Sequence, residues 1–431
     1  MAEIRPFQAL RYHQERAGDI DSLTCPPYDI ISPAQREELL QRNPYNVVRL
    51  ELPQGEDPYR EAGRALEQWL KDGVLTTDMD PGLYLYEEEF LTQVDHGEQK
   101  KLRGLLCRVR LEDFANGVVL PHEETLSKAK EDRFQLMRAT HCNFSPIYSL
   151  YRDETHVTRQ RMDNLAAACP PRYQFSDGLV THRLWVVNDQ AAIAALQEDF
   201  AGRKLYIADG HHRYETALRY RDACRAENRY EPGADYVMMM LADMGDPGLV
   251  VFPTHRLVRD LPGFSEESLL AACGEYFEVS PQPGQAESQA ALDRLYQAGK
   301  HAFALYAGAG WTVLTLKDPA VMDRLLPGLS QASRRLDVTI LHTLVLERLL
   351  GIDKENMANQ RNLTYTRDAA EAAASVEKGE SCACFLLNPT RVEEIGQVAA
   401  AGEKMPQKST YFYPKLITGL AMNDLETPAG L

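Results

Sequence analysis

Long apolar runs are missing from the sequence. No stretch approaches the roughly 20 consecutive apolar residues that a membrane-spanning helix needs. The opening stretch, MAEIRPFQALRYHQERAG, has no apolar segment of the kind found in secretory signals. We therefore expect a cytoplasmic protein with no membrane partner.

Cysteine is scarce, with 8 residues in a chain of 431, and no C-x-x-C occurs. Structural zinc sites usually draw on closely spaced cysteine pairs, so the spacing argues against such a site. We expect most of these thiols to be reduced and to pack as small core residues.

Positive charge is also in short supply. The chain has 47 Lys and Arg against 63 Asp and Glu, a formal net charge of -16. Non-specific binding to a phosphate backbone needs clustered positive charge, so a general nucleic-acid binder is disfavoured, although one local basic pocket is not. With 44% hydrophobic residues, the chain can build a sizeable core, in two or three domains at about 150 residues each or in one large elaborated domain.

Several nucleotide and catalytic motifs are absent. The chain contains no G-x-x-x-x-G-K-[ST], G-x-G-x-x-G, G-x-S-x-G, H-E-x-x-H or H-R-D sequence. A bound nucleotide must therefore be held in some other way.

Alternating strand and helix patterns predict a mixed α/β (α+β) protein. Segments 83–93 and 101–113 predict a hairpin, and 337–351 predicts a strong helix. The expected division is an N-terminal α+β region, a central region, a small α+β subdomain and a C-terminal helical region, namely 1–115, 116–260, 261–330 and 331–431.

The sharpest motif is the D-G-H-H-R box, residues 209–213, where a strand ends and a helix begins. A helix N-terminus offers backbone N–H groups and the positive end of a dipole to a phosphate. Gly210 permits a tight turn, and Arg213 can clamp phosphate oxygens. Asp209 can hold Mg²⁺ or accept a proton, and His211 and His212 can donate to phosphate or ligate a metal. The plainer alternative is an Asp helix cap with surface imidazoles.

Three further clusters carry weaker signals. Residues 121–133 (PHEETLSKAKEDR) combine imidazole, carboxylates and cations, and residues 405–415 (MPQKSTYFYPK) place two lysines around hydroxyls and aromatics. Residues 26–29 (PPYD) form a rigid turn that presents one carboxylate. Each has an ordinary structural alternative: a solvated helix start, a packed tail loop or a turn aspartate.

The whole chain resembles the microbial family catalogued as domain of unknown function 1015. The matching stretches are CPPYDIIS, HEETLSKAKEDRFQLMRAT, NFSPIY, IADGHHRYETAL, PTHRLV, LHTLVLERLLGI and MPQKSTYFYPKLITGL. They run from one end of the chain to the other.

The D-G-H-H-R box is in addition similar to the phosphate-binding box of the ParB/sulfiredoxin-like superfamily, which includes free-serine kinases. This resemblance implies a ParB/sulfiredoxin-like core elaborated with extra α+β subdomains. It also implies Mg²⁺, with ATP or ADP as phosphoryl donor, and free L-serine as the first acceptor to consider.

From the residues and the resemblance together, we expect a kinase acting on a small hydroxylated metabolite. A metal-dependent phosphatase or nuclease-like hydrolase and a nucleotide-sensing ParB-like binding protein are the alternatives. Glu123 or Asp29 is the candidate base, with Glu123 slightly preferred, and Asp209 is the metal ligand and a further catalytic candidate. The expected nucleotide ligands are Asp209, Gly210, His211, His212, Arg213, Lys128, Lys130 and Arg133. The expected substrate or phosphate ligands are His122, Thr125, Lys408, Ser409, Thr410, Tyr413 and Lys415.

Overall fold

The computed structural model describes residues 1–92, 97–123 and 127–427, with the side chains of 127–129 outside the description. The strands are β1 Ile4–Arg5, β2 Leu10–Tyr12, β3 Leu75–Thr77, β4 Leu83–Leu91, β5 Gln99–Arg110, β6 Val119–Leu120, β7 Cys142–Asn143, β8 Ile147–Tyr151, β9 Tyr173–Ser176, β10 Val180–Val187, β11 Leu205–Asp209, β12 Tyr236–Asp243, β13 Val250–Phe252, β14 His255–Val258, β15 Phe277–Gln282, β16 Ala302–Tyr306, β17 Trp311–Leu316, β18 Leu363–Thr366, β19 Ala383–Leu386, β20 Tyr411–Tyr413 and β21 Asn423–Asp424.

The helices alternate with these strands, which confirms the predicted mixed α/β class. The α-helices are α1 Gln14–Ala17, α2 Ile20–Leu23, α3 Pro33–Arg42, α4 Val48–Glu51, α5 Pro58–Lys71, α6 Ser127–Thr140, α7 Val157–Ala168, α8 Gln190–Phe200, α9 His211–Ala226, α10 Glu266–Cys273, α11 Gln285–Gln297, α12 Ala320–Leu325, α13 Gln331–Arg334, α14 Asp337–Ile340, α15 Lys354–Asn359, α16 Ala369–Glu377 and α17 Val392–Ala400. Tyr28–Ile30 and Phe114–Asn116 are 3-10 turns. Within the described ranges, no helix is both long enough and apolar enough to cross a bilayer.

The chain forms two compact units. Unit 1 comprises Met1–Pro121, Thr125–Val250 and Pro414–Leu431, and unit 2 comprises His122–Glu124 and Val251–Tyr413. The four-part division expected from the sequence stays a prediction.

Unit 1 is built on a mixed sheet with the strand order β6-β11-β8-β12-β5-β4-β10-β9, and β1 adds to β5. The predicted hairpin is confirmed, because β4 and β5 pair antiparallel from Tyr84 opposite Leu106 to Leu91 opposite Gln99. β12 runs parallel to β8, and β11 runs antiparallel to β8. The sheet therefore places the end of β11 beside the start of β8.

Both faces of this sheet are buried. Odd-numbered residues such as Leu85 and Leu105 join the main core of the unit, with residues of α6, α7, α8 and α9. Successive side chains of a strand point to opposite faces, so even-numbered positions face the other way. There Tyr84, Glu88 and Arg108 are buried.

Unit 2 contains an antiparallel sheet in the order β15-β17-β16-β19-β14-β18. Alternation again divides its residues between two cores. Val258 and Phe303 belong to one cluster and Leu257 and Ala304 to the other. Each face thus buries its own apolar layer.

The predicted helix over 337–351 is a helix, but not a regular one. After α14, a π-helix spans Leu341–Leu349 and buries His342 and Leu344. The sequence did not predict this change, because the spacing of apolar residues along the chain is similar for an α-helix and a π-helix. A π-segment inside a helix is uncommon and often accompanies functional residues.

Candidate functional site

The D-G-H-H-R box forms the turn between β11 and α9 in unit 1, as the sequence pattern predicted. Asp209 is the last residue of β11, and α9 begins at His211. Gly210 lies between them with a φ of 95°, in the left-handed region that favours glycine. As glycine, it has no side chain with which to cap the helix. The first backbone N–H groups of α9 therefore have no side-chain acceptor at the N-cap position.

Arg213 folds back over this turn. Its Nη2 donates to Asp209 Oδ2 at 2.7 Å, and its Nη1 donates to the carbonyl oxygen of Pro146. A Cβ at position 210 would lie 2.9 Å from Arg213 Nε. Glycine is therefore needed twice, once for the backbone conformation and once for the space that the guanidinium occupies.

Lys415, at the start of the last segment of unit 1, pairs with the other oxygen of the same carboxylate. Its Nζ donates to Asp209 Oδ1. Burial alone raises the pKa of Asp209, but Lys415 and then Arg213 outweigh it and hold that pKa well below its ordinary value. The Asp209 side chain keeps 19% of its surface exposed.

A second arginine lies in a neighbouring cluster of unit 1. Arg133 of α6 donates to the carbonyl oxygen of Glu51 at 2.8 Å, and its guanidinium lies 4.2 Å from the ring centre of Tyr28. Arg133 and Arg213 both line one cavity of about 40 Å³, together with Ser145. Two of the expected nucleotide ligands are therefore brought to the same cavity.

The sequence reasoning missed several members of this cluster. Glu51 accepts a hydrogen bond from Ser145 Oγ at 3.0 Å, and Arg133 Nη1 lies 3.5 Å from its carboxylate. Burial raises the pKa of Tyr28 to about 12, against the opposing pull of Arg213 and Arg133. Ser145 stands in the family stretch NFSPIY, which is a usable signal, whereas nothing in the sequence marks Glu51.

Other residues of unit 1 were also expected from the sequence to bind nucleotide or to act in catalysis. Lys130 forms an ion pair with Glu215 of α9. His211 is buried and helps to lower the pKa of Asp209, and His212 is partly exposed beside it in the first turn of α9. Asp29 is exposed in the 3-10 turn that Tyr28 begins. Thr125 and the side chain of Lys128 lie outside the described residues.

Unit 2 brings the 122–123 segment to the 405–413 loop. His122 Nε2 is 2.9 Å from Thr410 Oγ1, and Glu123 Oε1 accepts the backbone N–H of Lys408. Lys408 has a φ of 57°, a conformation that non-glycine residues seldom adopt. Ser409 of the same loop is buried. The ring centre of Tyr413 lies 4.9 Å from that of Phe252.

Buried Arg256 anchors the same loop. Its Nη2 donates to the Lys408 carbonyl oxygen at 3.0 Å, and its Nε lies 3.3 Å from His342 Nε2. Burial, and then the positive charge of Arg256, lowers the pKa of His342 well below its ordinary value, so the ring is neutral and can accept that hydrogen bond. Neither His342 nor Arg256 is among the site residues expected from the sequence.

A preformed metal cage is not visible in the described part of the chain: no group of three or more His, Cys, Asp or Glu side chains there could hold an ion. Mg²⁺ commonly binds through one or two carboxylates together with substrate phosphates and water. Asp209 fits that mode, since it is a single, partly exposed carboxylate.

The chain belongs to the family described as protein of unknown function (DUF1015), whose model matches residues 4–339. This confirms the family predicted from the motifs. No curated protein matches the chain.

Three solved structures are distantly similar. A free serine kinase variant in complex with ADP is 14% identical, covers 75% of this chain and 91% of its own, and has a TM-score of 0.39. A conserved hypothetical protein from Pyrococcus furiosus is 14% identical, with coverages of 74% and 94% and a TM-score of 0.36. SbnI from Staphylococcus aureus, truncated at its C-terminus, is 10% identical, with coverages of 74% and 87% and a TM-score of 0.37.

Proposed function

We propose that this protein is a Mg²⁺- and nucleotide-dependent kinase that phosphorylates a small hydroxylated metabolite, with free L-serine as the first candidate. One observation carries the proposal: the Asp209 carboxylate, held between Arg213 and Lys415 at the turn into α9. The family resemblance stated from the motifs suggested the same chemistry.

The charge balance of this cluster suits a polyphosphate. One carboxylate against two cations leaves one positive charge, and the N-terminal end of α9 adds its dipole. Arg213 and Lys415 would bind phosphate oxygens of a nucleotide, and Asp209 would hold Mg²⁺, which would supply further neutralisation of the phosphate charge. Phosphoryl transfer depends mainly on such neutralisation and positioning.

The reaction balances without a further co-reactant. The serine hydroxyl oxygen forms a bond to the terminal phosphorus, and the bond from that phosphorus to the bridging oxygen breaks. ADP leaves if ATP is the donor, and AMP leaves if ADP is. The hydroxyl proton passes to a carboxylate, for which Asp29 and Glu123 are the candidates.

The direct test is to incubate the purified full chain with Mg²⁺, L-serine and either ATP or ADP, and to detect O-phosphoserine by mass spectrometry. We expect Asp209→Asn to lower the turnover number at least 100-fold, in the range expected for groups that act on the transition state. Arg219→Ala is the matched control, because Arg219 lies on the same helix in an exposed pair with Glu131. No phosphoserine and no nucleotide binding would defeat the proposal, and so would phosphate release from simple esters without a nucleotide.

The identity of the base is tested separately. Asp29→Asn and Glu123→Gln each remove one candidate proton acceptor while keeping its shape. General-base catalysis contributes about 10²–10⁴-fold, so the variant lacking the true base should lose that much turnover with little change in KM. Equal, small losses in both variants would rule out both residues.

A further inference from the structure

A chain of polar side chains runs from the surface of unit 1 into its interior. Asp177 Oδ2 lies 3.4 Å from His182 Nε2, and His182 Nδ1 lies 2.8 Å from Tyr86 Oη. Tyr86 Oη lies in turn 2.9 Å from Glu88 Oε1. The Asp177 side chain is 42% exposed, whereas those of His182 and Glu88 are 1% and 0% exposed. Water therefore reaches one end of the chain, and the other end is fully buried.

Pairing of the strands holds these side chains together. Tyr86 and Glu88 are alternate residues of β4, so their side chains share one face of the sheet. His182 of β10 lies directly opposite Glu88 in the antiparallel pair. Asp177 lies in the turn between β9 and β10, where its Oδ1 accepts two backbone N–H groups of the following residues at 2.9 and 2.8 Å. The short distances along the chain therefore follow from the register of the sheet.

Asp177 is the ionised end of the chain. Burial raises its pKa, but the hydrogen bond from His182 and those from the two backbone N–H groups outweigh this and lower the pKa of Asp177 to about 2. An ionised carboxylate accepts hydrogen bonds and donates none. The proton between Asp177 and His182 is therefore carried by His182 Nε2.

The three contacts of the chain need more protons than a neutral His182 and an ionised Glu88 provide. Each contact contains one proton. The Tyr86 hydroxyl supplies one, and a neutral imidazole supplies another, which His182 Nε2 uses on Asp177. The third comes either from a protonated Glu88 or from a second proton on His182. The chain therefore holds one proton more than a neutral imidazole and a carboxylate carry between them.

The surroundings favour Glu88 as the holder of this extra proton. Burial raises the pKa of Glu88 to about 8, a shift that Tyr86 opposes and the negative charge of Asp177 reinforces. Other groups act on the chain from neighbouring elements, namely Tyr148 of β8, the ring of Phe175 on β9 and the backbone of Ile417. None of these three brings a positive charge. With Glu88 protonated, its Oε1 donates to Tyr86 and the Tyr86 hydroxyl donates to His182 Nδ1, whereas with Glu88 ionised Tyr86 donates to Glu88.

We propose that this chain is a pH-sensitive latch between buried Glu88 and the turn that carries Asp177. As pH rises, the Glu88 proton passes to the Tyr86 oxygen, and the Tyr86 proton passes to His182 Nδ1. The His182 Nε2 proton then leaves to water, so that the chain loses one proton in total. The inference stands apart from the kinase proposal, because it uses none of the same residues.

Loss of that proton leaves two protons for three contacts, so one contact opens. The contact between His182 Nε2 and Asp177 is the one that opens, because an unprotonated nitrogen and a carboxylate both present lone pairs. It is also the longest of the three, and water can bind the partly exposed carboxylate in its place. The latch is therefore closed below the Glu88 transition and open above it.

The test is ¹⁵N NMR of the full chain labelled at its histidines, recorded from about pH 6 to about pH 10, on either side of the pKa of Glu88. The His182 signals are those absent from His182→Gln. In wild type, we expect Nε2 to carry a proton at the acid end of this range. At the alkaline end Nε2 should have lost its proton, and the ring proton should be on Nδ1.

Glu88→Gln is the discriminating variant. Its amide N–H group replaces the acid proton at every pH, so His182 should keep its Nε2 proton over the whole range. Tyr86→Phe removes the link and should also abolish the change. Tyr84→Phe is the matched control, because it removes a buried hydroxyl from the same face of β4 and should titrate like wild type. The proposal is overturned if His182 Nε2 stays protonated in wild type at the alkaline end, or if a folded Glu88→Gln variant loses that proton as wild type does.

Discussion

At the scale of single residues, the turn at Asp209 shows how one carboxylate is kept charged. Burial opposes ionisation, but Lys415 and Arg213 together lower the pKa of Asp209 well below its ordinary value. A lowered pKa of this kind stabilises the fold at every pH above the unfolded value, and the benefit is lost only as pH falls through the folded value. The cluster therefore keeps the same charge across the neutral range.

Gly210 is the residue on which this arrangement most directly depends. Gly210→Ala forces a side chain into the left-handed region, at a cost of about 1–2 kcal/mol, and places a Cβ 2.9 Å from Arg213 Nε. Gly178→Ala is the matched control in the same unit, because Gly178 has a φ of 96° and open space at its Cβ position. Urea denaturation should show a larger loss for Gly210→Ala, by about 1 kcal/mol, since Arg213 must leave Asp209. Equal losses would mean that Arg213 adapts without penalty.

At the scale of elements, strand β4 carries a buried carboxyl group on the face opposite the main core. Glu88 Oε1 accepts a hydrogen bond from Tyr86 Oη at 2.9 Å, while Oε2 is buried with no partner in the described structure. Burial raises the pKa of Glu88 to about 8, a shift that the Tyr86 hydrogen bond opposes and the negative charge of Asp177 reinforces. The folded strand thus favours the protonated acid.

This predicts a specific pH dependence of stability. Between about pH 4.5 and pH 8 the unfolded chain loses the Glu88 proton and the folded chain keeps it, so this contribution to stability declines as pH rises. Glu88→Gln removes the titration, so the stability of the variant relative to wild type should rise between pH 5 and pH 8 in urea denaturation. Glu67→Gln, at an exposed position on α5, is the control and should run parallel to wild type. A Glu88→Gln curve that also runs parallel would contradict the assignment.

At the scale of the whole molecule, unit 1 is assembled from three separate stretches of chain. Its last stretch supplies Lys415 to the candidate site. The same stretch also supplies hydrogen-bond acceptors to Arg108, which is fully buried. Arg108 Nε donates to Asn423 Oδ1 at 2.6 Å, and Asn423 Nδ2 donates to Asn143 Oδ1 at 2.8 Å. Burial lowers the pKa of Arg108 to about 10, which still leaves it charged near neutrality.

Asn423→Ala should therefore destabilise the protein although it removes only a small side chain. A buried guanidinium loses one acceptor, and Asn143 Oδ1 loses one of its two donors, since the Met238 N–H also donates to it at 3.2 Å. Together these losses should cost about 1–3 kcal/mol in urea denaturation. Asn423→Asp keeps an acceptor for Arg108 and should cost less. Asn164→Ala, at an exposed position on α7, should change stability by less than about 0.5 kcal/mol. If Asn423→Ala matches Asn164→Ala, the C-terminal stretch does not depend on this network.

Much of the local structure was predictable because it depends on nearby residues. Apolar runs bounded by turn residues predicted the β4–β5 hairpin, and a strand followed by Asp-Gly predicted the turn into α9. The π-helix over Leu341–Leu349 was not predictable, because its apolar spacing resembles that of an ordinary helix.

Long-range partnerships were beyond prediction for a different reason. Lys415 meets Asp209 across 206 positions of sequence, and Glu51 meets Ser145 across 94. Neither pair repeats at the period of a helix or strand, so no pattern along the chain connects its members.

The amino-acid order alone determined the class of fold, the family and the position of the Asp-Gly turn into α9, because propensity, periodicity and glycine stereochemistry act over a few residues. Folding in three dimensions decided which charges meet: Arg213 and Lys415 on Asp209, and Arg133 beside Tyr28. The free energy of an ion pair depends on the distance between the charges and on their burial, and both are set by the folded structure.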